Sequence, residues 1–211
     1  MDLKTLCLKL QERLATPLPG EAAHDILRAT PVGDVRPLFD HKDPPRPGGV
    51  ILVLYEDGGI VKFPLIKRPE YAGYHGGQVS LPGGKAEPGE DSVQTALREC
   101  EEEIGVRVDP EHVLGKLSNF YVIPSNYLVT PIIAFLPGRP VFKPDPYEVS
   151  HIIEARLVDL TAGDSIKQKE ILAAGKYRMV APHFEIQNEV VWGATAMMLN
   201  EFRVVLNELP L

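Results

Sequence analysis

An acidic helix that follows a glycine-rich turn is the feature that most constrains this chain. The feature covers residues 84–106, GKAEPGEDSVQTALRECEEEIGV. The sequence Pro82-Gly83-Gly84 at its start predicts a tight turn. At about 100° per residue, Glu99, Glu102 and Glu103 project from one side of the predicted helix. Five apolar residues form the opposite stripe, namely Val93, Ala96, Leu97, Cys100 and Ile104. The pattern predicts a helix with one face for a core and the other for cations.

The acidic face of this helix predicts a bound cation. Three carboxylates on two adjacent turns raise one another's pKa unless a positive charge lies among them. Mg²⁺ and Mn²⁺ prefer oxygen ligands, and Mg²⁺ commonly shares substrate phosphates and water. Arg98 lies four residues before Glu102, in range for a helix-surface ion pair. Glu90 lies near the helix start, where the macrodipole favours a negative charge, with Asp91 or Ser92 as the cap.

The spacing of the residues around this acidic run decides between an exposed helix face and a functional site. An acidic run such as residues 101–103 is, by itself, typical of an exposed helix face. The run belongs to a pattern of nine fixed positions that starts at Gly84 and includes Glu90, Arg98 and Gly105. At ordinary residue frequencies this pattern would arise by accident with a probability on the order of one in ten million.

These residues resemble the Nudix box, the signature of hydrolases that cleave a nucleoside diphosphate linked to another group. Cys100 departs from the pattern, which usually has Ile, Leu or Val there, but a buried thiol is an acceptable apolar substitute. The resemblance implies attack of water on a diphosphate with Mg²⁺ or Mn²⁺ as cofactor. By position, the implied metal ligands are Glu99, Glu102, Glu103 and the Gly84 carbonyl, with Glu90 and Arg98 as supporting residues.

Length and composition favour one folded domain. The chain has 211 residues, 44% of them hydrophobic and 24% charged, which is enough for a sizeable core. A formal net charge of -7 argues against nucleic acid or an anionic membrane as a partner, although a local basic cluster can still bind a small anion. The sequence has no apolar run long enough to span a bilayer, and residues 1–14 are amphipathic, so a cytoplasmic location is expected.

The N-terminal part is predicted to be an appendage of the main domain. Residues 1–47 are expected to form a helix and a proline-rich arm packed on the body, and residues 48–211 the Nudix hydrolase domain. Four leucines at helical spacing predict the helix, namely Leu3, Leu6, Leu10 and Leu14. The prolines of residues 15–49 are too many for regular structure and predict an extended arm, with a disordered linker as the competing view. The arm and the terminal helices could support a homodimer.

Short runs rich in β-branched and aromatic residues predict strands along the rest of the chain. They are residues 50–55, 60–66, 113–122, 127–135, 149–158, 177–180, 184–186 and 190–192. Residues 56–59, Glu-Asp-Gly-Gly, predict a hairpin between the first two. A short helix is predicted over residues 164–174, and an amphipathic helix from Ala194, with Met197 and Met198 in its core-facing stripe. Together with the resemblance, this order implies an α/β Nudix fold, an α/β/α sandwich with a mixed β-sheet.

The segment before the box resembles the additional motif of the coenzyme A pyrophosphatase branch of the family. The similarity covers Leu65-Ile66-Lys67-Arg68 and residues 75–84, HGGQVSLPGG, and continues less strongly through residues 48–208. Two positions depart from the motif: Gly73 replaces a second Arg, and Leu81 replaces Phe. The missing Arg leaves open which group would bind the 3′-phosphate or the diphosphate.

A phosphate-rich ligand such as CoA needs several cationic donors. Lys67, Arg68, His75 and Lys85 cluster in sequence around the glycine-rich loop, although Lys67 and Arg68 could equally end a strand on the solvent side. The predicted substrate-binding residues are Lys67, Arg68, His75, Gly77, Gln78, Ser80, Gly83 and Lys85.

The predicted reaction is hydrolysis of CoA or acyl-CoA to 3′,5′-ADP and 4′-phosphopantetheine or its acyl form. The general base is a box glutamate or Glu148. A second possibility within the family is another nucleoside diphosphate derivative, such as ADP-ribose or a dinucleotide. From other classes come a non-catalytic nucleotide-binding Nudix module, and a scaffold that associates through the arm and terminal helices.

Overall fold

A computed structural model describes residues 2–33, 38–71 and 75–209, so Gly73 and the arm residues Val35 and Pro37 lie outside the described residues. The described α-helices are α1 (Leu3–Leu14), α2 (Glu21–Asp25), α3 (Ser92–Ile104), α4 (Leu157–Thr161) and α5 (Gly193–Asn207). The described strands are β1 (Thr30–Pro31), β2 (Arg46–Asp57), β3 (Ile60–Lys67), β4 (Val79–Ser80), β5 (Gly83–Lys85), β6 (Val113–Lys116), β7 (Phe120–Val122), β8 (Tyr127–Phe135), β9 (His151–Arg156), β10 (Ile166–Ala173), β11 (Tyr177–Ile186) and β12 (Glu189–Trp192). Short 3₁₀ helices cover Pro110–His112 and Ile123–Ser125.

The main sheet is mixed and is built around β2. Its strand order is β4-β3-β2-β8-β6, with β5, β7 and β9 paired to β2, β8 and β3 respectively. The β2 and β8 strands run parallel, whereas the other pairs are antiparallel. The β2–β3 hairpin is confirmed: Gly58 and Gly59 have φ of 59° and 77°, as both central residues of a type I′ turn require.

Helices cover both faces of this sheet, which confirms the α/β/α sandwich. Successive side chains of a strand point to opposite faces, so β2 feeds two cores. Ile51 and Val53 pack with the apolar stripe of α3, whereas Leu52 and Leu54 belong to the core that includes α1 and α5. Gly49 lets α3 approach, because a Cβ there would lie 2.4 Å from the Ser92 carbonyl oxygen.

A second, antiparallel sheet corrects the prediction for residues 164–174. These residues were expected to form a helix, but β10 occupies most of the range and pairs with β11 from Ile166 opposite Phe184 to Ala173 opposite Tyr177. Lys, Gln, Glu and Leu are good helix formers, but intrinsic helix propensity is worth only tenths of a kcal/mol per residue, and the ladder to β11 overrides it. β1 and β12 complete the sheet by pairing with β11.

Four strand predictions were also wrong in their limits. Residues 177–180 and 184–186 form one continuous strand, β11, which passes through Pro182. Residues 113–122 form two strands, β6 and β7, which are separated by residues 117–119 and both pair with β8. The strand predicted over residues 149–158 is shorter, because α4 begins at Leu157.

The N-terminal region contains more regular structure than its prolines suggested. The predicted first helix is confirmed as α1, and its leucines are buried in the core shared with α5. Residues 15–49 were expected to lack regular structure, but they include α2, β1 and the start of β2. The physical reason is burial: Ala23, His24 and Leu27 are almost inaccessible to solvent and hold α2 against the body. Among the described residues, each helix is too short or too polar to cross a membrane.

Candidate active site

The acidic helix α3 is fixed at its start by a capping box and an arginine. Asp91 is the N-cap, and its carboxylate accepts hydrogen bonds from the Val93 and Gln94 amides at 2.9 and 2.8 Å. Arg98 donates to Glu90 at 2.7 Å from Nε and at 3.0 Å from Nη2. The Arg98 guanidinium holds the pKa of Glu90 down at about 2. Glu90 therefore stays ionised and ties the preceding loop to the helix.

Arg98 also orders the carboxylates that follow it. Its Nη1 donates to Glu99 at 2.9 Å and to Glu102 at 2.8 Å, and its Nη2 donates to the Lys85 carbonyl at 3.0 Å. These contacts link β5 to α3. The box glutamate Glu102 is 58% exposed and turns toward Arg98, whereas Glu99 and Glu103 turn inward.

Three carboxylates converge where α3 faces the loop before β9. Glu99, Glu103 and Glu148 each offer an oxygen, and these three atoms lie within 4.8 Å of one another. Glu148 is exposed and comes from a loop 45 residues later in the chain, which sequence spacing could not place beside the helix. Glu99 and Glu103 were predicted as metal ligands, whereas Glu148 was predicted only as a candidate base. The structure thus brings Glu148 into the cluster beside two of the three predicted box ligands.

Glu103 is the buried member of this cluster. Its carboxylate accepts a 2.7 Å hydrogen bond from the Gly83 amide, and Arg68 Nη2 lies 3.5 Å from its other oxygen. Burial raises the pKa of Glu103 to about 7. A buried carboxylate of this kind is stabilised in its charged form by a nearby cation.

Glu99 lies against the backbone of β5. A Cβ added to Gly84 would lie 2.5 Å from a Glu99 carboxylate oxygen, so glycine is the residue that permits this approach. Burial raises the pKa of Glu99, which the Arg98 contact only partly offsets. The donor set fits a hard divalent ion, because three carboxylate oxygens, two of them withdrawn from solvent, converge on one point. The predicted role of the Gly84 carbonyl as a further ligand stays a prediction.

A cavity of about 580 Å³ opens onto these carboxylates. Most of the predicted substrate-binding residues line it, namely Arg68, His75, Gln78, Ser80, Gly83 and Lys85. Gly77 lines a neighbouring cavity of about 440 Å³. Lys67, at the end of β3, instead donates a 2.8 Å hydrogen bond to Glu189 on β12. Lys67, the last residue of β3, and Arg68, the first residue after it, therefore lie in different surroundings.

The polar side chains of the cavity wall are fixed to different degrees. Arg68 Nη2 donates to the Gly83 carbonyl at 3.4 Å in addition to its contact with Glu103. Burial lowers the pKa of His75, whose Nδ1 lies 3.4 Å from the Gln78 side-chain oxygen. The Ser80 hydroxyl is buried and has no hydrogen-bond partner among the described residues. A buried hydroxyl without a partner costs about 1–3 kcal/mol, which a ligand in the cavity would recover.

Much of the remaining cavity wall is apolar and was missed in the sequence. It includes residues of β7, the second sheet and α5, such as Tyr121, Val122, Ala173, Tyr177, Met179, Trp192, Met197 and Met198. The two α5 methionines were predicted to be core, and they are buried while also lining the cavity. Nothing in their local spacing distinguishes the two roles.

Comparison with known proteins defines the family. A model of the NUDIX domain matches residues 45–181, and the chain therefore belongs to the Nudix family. A relative from Yersinia pestis, described as the uncharacterized Nudix hydrolase NudL, is 35% identical over 137 residues, 64% of this chain and 67% of that protein. As a Nudix hydrolase, the protein acts on a nucleoside diphosphate derivative.

Solved structures agree with the fold. The Nudix hydrolase RenU of M. smegmatis has a TM-score of 0.52 at 16% identity and covers 80% of this chain and 89% of its own. A MutT/nudix family protein of Enterococcus faecalis has a TM-score of 0.51 at 16% identity and covers 81% of this chain and 63% of its own. At this identity the similarity shows a Nudix fold with a mixed sheet, and carries no statement about substrate.

Proposed function

We propose that the protein hydrolyses the diphosphate bond of CoA or acyl-CoA, releasing 3′,5′-ADP and 4′-phosphopantetheine or its acyl form. The observation that carries this proposal is one shared cavity. It is lined by the carboxylates Glu99, Glu103 and Glu148 and by the glycine-rich loop whose sequence resembles the coenzyme A pyrophosphatase motif. A diphosphate bound there would meet both the acidic cluster and the loop donors.

The chain's own residues supply binding and proton transfer. Glu99, Glu103 and Glu148 would hold Mg²⁺ or Mn²⁺. The bound metal would neutralise the diphosphate and promote ionisation of the attacking water. Arg98 keeps Glu99 in place, and the buried contacts of Glu103 fix its orientation. A general base must lie beside the attacking water, and Glu148 or a box glutamate would take that role.

The loop would recognise the phosphates of the substrate. Arg68, His75 and Lys85 bring cationic or donor groups to the cavity, and the Ser80 hydroxyl offers a donor that lacks a partner among the described residues. Lys67 is not assigned to phosphate binding in this scheme, because its ammonium group is paired with Glu189. The donors along the cavity suit a ligand with more than one phosphate group.

The proposal is tested by separating reaction products. Purified protein is incubated with CoA, acetyl-CoA, ADP-ribose and a diadenosine polyphosphate, each with Mg²⁺, Mn²⁺ or EDTA, and the products are resolved by chromatography. Metal-dependent formation of 3′,5′-ADP from CoA is the expected result. Cleavage of ADP-ribose or the dinucleotide in preference to CoA would contradict the substrate assignment, and absence of any turnover would favour a non-catalytic nucleotide-binding module.

A matched pair of variants tests the residue assignment. Glu103→Gln removes a buried cluster carboxylate and is expected to lower kcat by at least about a hundredfold, in the range seen when one electrostatic group of an active site is removed. Glu101→Gln changes an exposed neighbour on the same helix and is expected to leave kcat within about twofold. Equal rates for the two variants would contradict the assignment.

Three broader expectations accompany this proposal. We expect the enzyme to work in the cytoplasm, and its small nucleotide substrate needs no nucleic-acid or membrane partner. Homodimerisation through the N-terminal arm or terminal helices stays a prediction that size-exclusion chromatography with light scattering would test. The division into residues 1–47 and 48–211 also stays a prediction.

A further inference from the structure

Part of the cavity wall comes from the N-terminal segment. Arg28, Ala29 and Phe39 line the same cavity as Glu99 and Glu103. All three wall residues precede residue 45, where the match to the NUDIX domain begins. This chain therefore adds a wall to the cavity of its Nudix domain.

A buried polar cluster anchors the segment on its N-terminal side. Glu201 of α5 is inaccessible to solvent, and its carboxylate lies 2.9 Å from His24 Nε2 and accepts a 3.0 Å hydrogen bond from the Gly20 amide. The neighbouring Asn200 side chain donates to the Ala23 carbonyl at 2.7 Å. Two adjacent α5 side chains therefore hold residues 20–24 in place, a few residues before the wall residues Arg28 and Ala29.

Further contacts anchor the segment beyond α2. Thr30 and Pro31 form β1, which pairs with β11 opposite Val180 and Met179. The ring of Phe39 stacks on His41 with centroids 6.3 Å apart and planes inclined by 10°. His41 Nε2 in turn lies 2.6 Å from the Ile123 carbonyl oxygen, in the connection between β7 and β8. The wall residues thus lie between anchored positions.

The chemistry of this wall favours an aliphatic group. Ala29 and Phe39 line the cavity together with Tyr177 and Met179 of β11, and the guanidinium of the third wall residue, Arg28, is paired with Asp25. A nucleobase or sugar has polar edges that must find partners when buried, whereas an aliphatic chain has none. Methionine is unbranched and flexible, so it adapts to chains of different shape.

We propose that Ala29, Phe39 and Met179 form a specificity pocket for a medium-length aliphatic acyl group carried by the diphosphate substrate. This inference rests on the proposed CoA diphosphatase function and adds a preference for acyl-CoA over free CoA. In this scheme the acyl group packs on these wall residues while the diphosphate lies at the carboxylates, because the wall residues and the carboxylates line one cavity. Phe39 is a specificity residue in this scheme and takes no part in the chemical step.

The sole tryptophan of the chain gives a direct binding signal. Trp192 lines the cavity, so ligands that enter it are expected to change its fluorescence. CoA and octanoyl-CoA are titrated in EDTA, which prevents metal-dependent turnover. Because the two ligands carry the same phosphates, the ratio of their dissociation constants isolates the acyl group. Wild-type protein is expected to bind octanoyl-CoA at least about tenfold more tightly than CoA.

Variants of the wall test which residues produce this ratio. Phe39→Ala removes the ring and is expected to reduce the octanoyl-CoA to CoA preference about fivefold or more. Ala29→Leu fills the pocket and is expected to reduce the same preference by crowding. Leu38→Ala is the control, because Leu38 is 91% exposed and adjacent to Phe39. Circular dichroism establishes that each variant is folded before titration.

The outcomes separate this inference from the proposed function. Equal binding of CoA and octanoyl-CoA, or an unchanged ratio in both wall variants, overturns the acyl pocket even if CoA is hydrolysed. Failure of the chain to cleave CoA in the product assay overturns the proposed function instead. A lack of fluorescence change with either ligand, in protein that cleaves CoA, overturns the assignment of the acyl group to this cavity.

Discussion

The buried carboxylate of Glu201 in α5 is expected to stabilise the fold far more than the exposed carboxylate of Glu208, the residue that follows this helix. It is inaccessible to solvent and contacts His24 at 2.9 Å, the Gly20 amide at 3.0 Å and the Ser118 amide at 3.3 Å. Glu201→Ala leaves one buried and two part-buried donors without their acceptor, at up to about 1–3 kcal/mol each before relaxation, so a total near 4 kcal/mol is expected. Glu201→Gln keeps the shape and an acceptor oxygen but loses the charge, so about 2 kcal/mol is expected.

Urea denaturation followed by circular dichroism measures these losses as changes in the free energy of unfolding. Glu208→Gln is the matched control, because Glu208 is 46% exposed and pairs with Arg13 at the surface. An exposed pair contributes less than about 1 kcal/mol. If Glu201→Gln and Glu208→Gln lowered stability equally, the buried cluster would not anchor α2 as argued.

The pH dependence of this stabilisation has a definite sign. Burial alone would raise the pKa of Glu201, but hydrogen bonds from His24, Ser118 and Gly20 together bring it below its ordinary value of 4.5. A carboxyl group with a lowered pKa stabilises the folded state above its unfolded pKa and loses that contribution as pH falls through the folded pKa. The stability difference between wild type and Glu201→Gln is therefore expected to be full near pH 7 and to shrink below about pH 4.5. A difference that grew on acidification would contradict this sign.

Two glycine substitutions test close approaches near the site, with Gly138→Ala as a control because an added Cβ there meets nothing within 4 Å. Gly49→Ala places a Cβ 2.4 Å from the Ser92 carbonyl oxygen. This variant is expected to lower the free energy of unfolding by about 1–3 kcal/mol in urea titrations. A loss equal to that of the control would contradict direct packing of α3 on β2. Gly84→Ala places a Cβ 2.5 Å from the Glu99 carboxylate and is expected to reduce the rise in Tm produced by Mg²⁺ or Mn²⁺. An unchanged rise in Tm would contradict a metal site beside Gly84.

Local patterns in the sequence were sufficient where neighbouring residues determine the structure. The α3 helix follows from its apolar stripe, and the structure selects Asp91 as its cap from the two residues that could serve. The β2–β3 hairpin follows from Gly58 and Gly59, which can both adopt positive φ. In these elements, the residues that carry the signal are the residues in contact.

Contacts between distant parts of the chain limited the prediction elsewhere. Residues 164–174 have good helix formers, and only the ladder to β11 makes most of them a strand. The prolines of the N-terminal arm concealed α2, because its stability depends on Glu201, 177 residues after His24. Lys67 and Arg68 are adjacent in sequence, yet Lys67 pairs with Glu189 while Arg68 lies beside Glu103.

The carboxylate cluster shows most clearly what spacing alone leaves undecided. Box spacing assigned Glu102 to the metal, whereas the described side chain is 58% exposed and paired with Arg98, and Glu148 lies with Glu99 and Glu103. If these three carboxylates bind the ion, Glu148→Gln should weaken Mg²⁺ binding more than Glu102→Gln. A tenfold weaker affinity lowers the stabilisation at saturating Mg²⁺ by about 1.4 kcal/mol, which the metal-dependent shift in Tm detects. A larger loss of Mg²⁺ binding in Glu102→Gln than in Glu148→Gln would contradict this assignment. It would mean that Glu102 leaves Arg98 when the ion binds, and that the box spacing describes the metal-bound arrangement of the side chains.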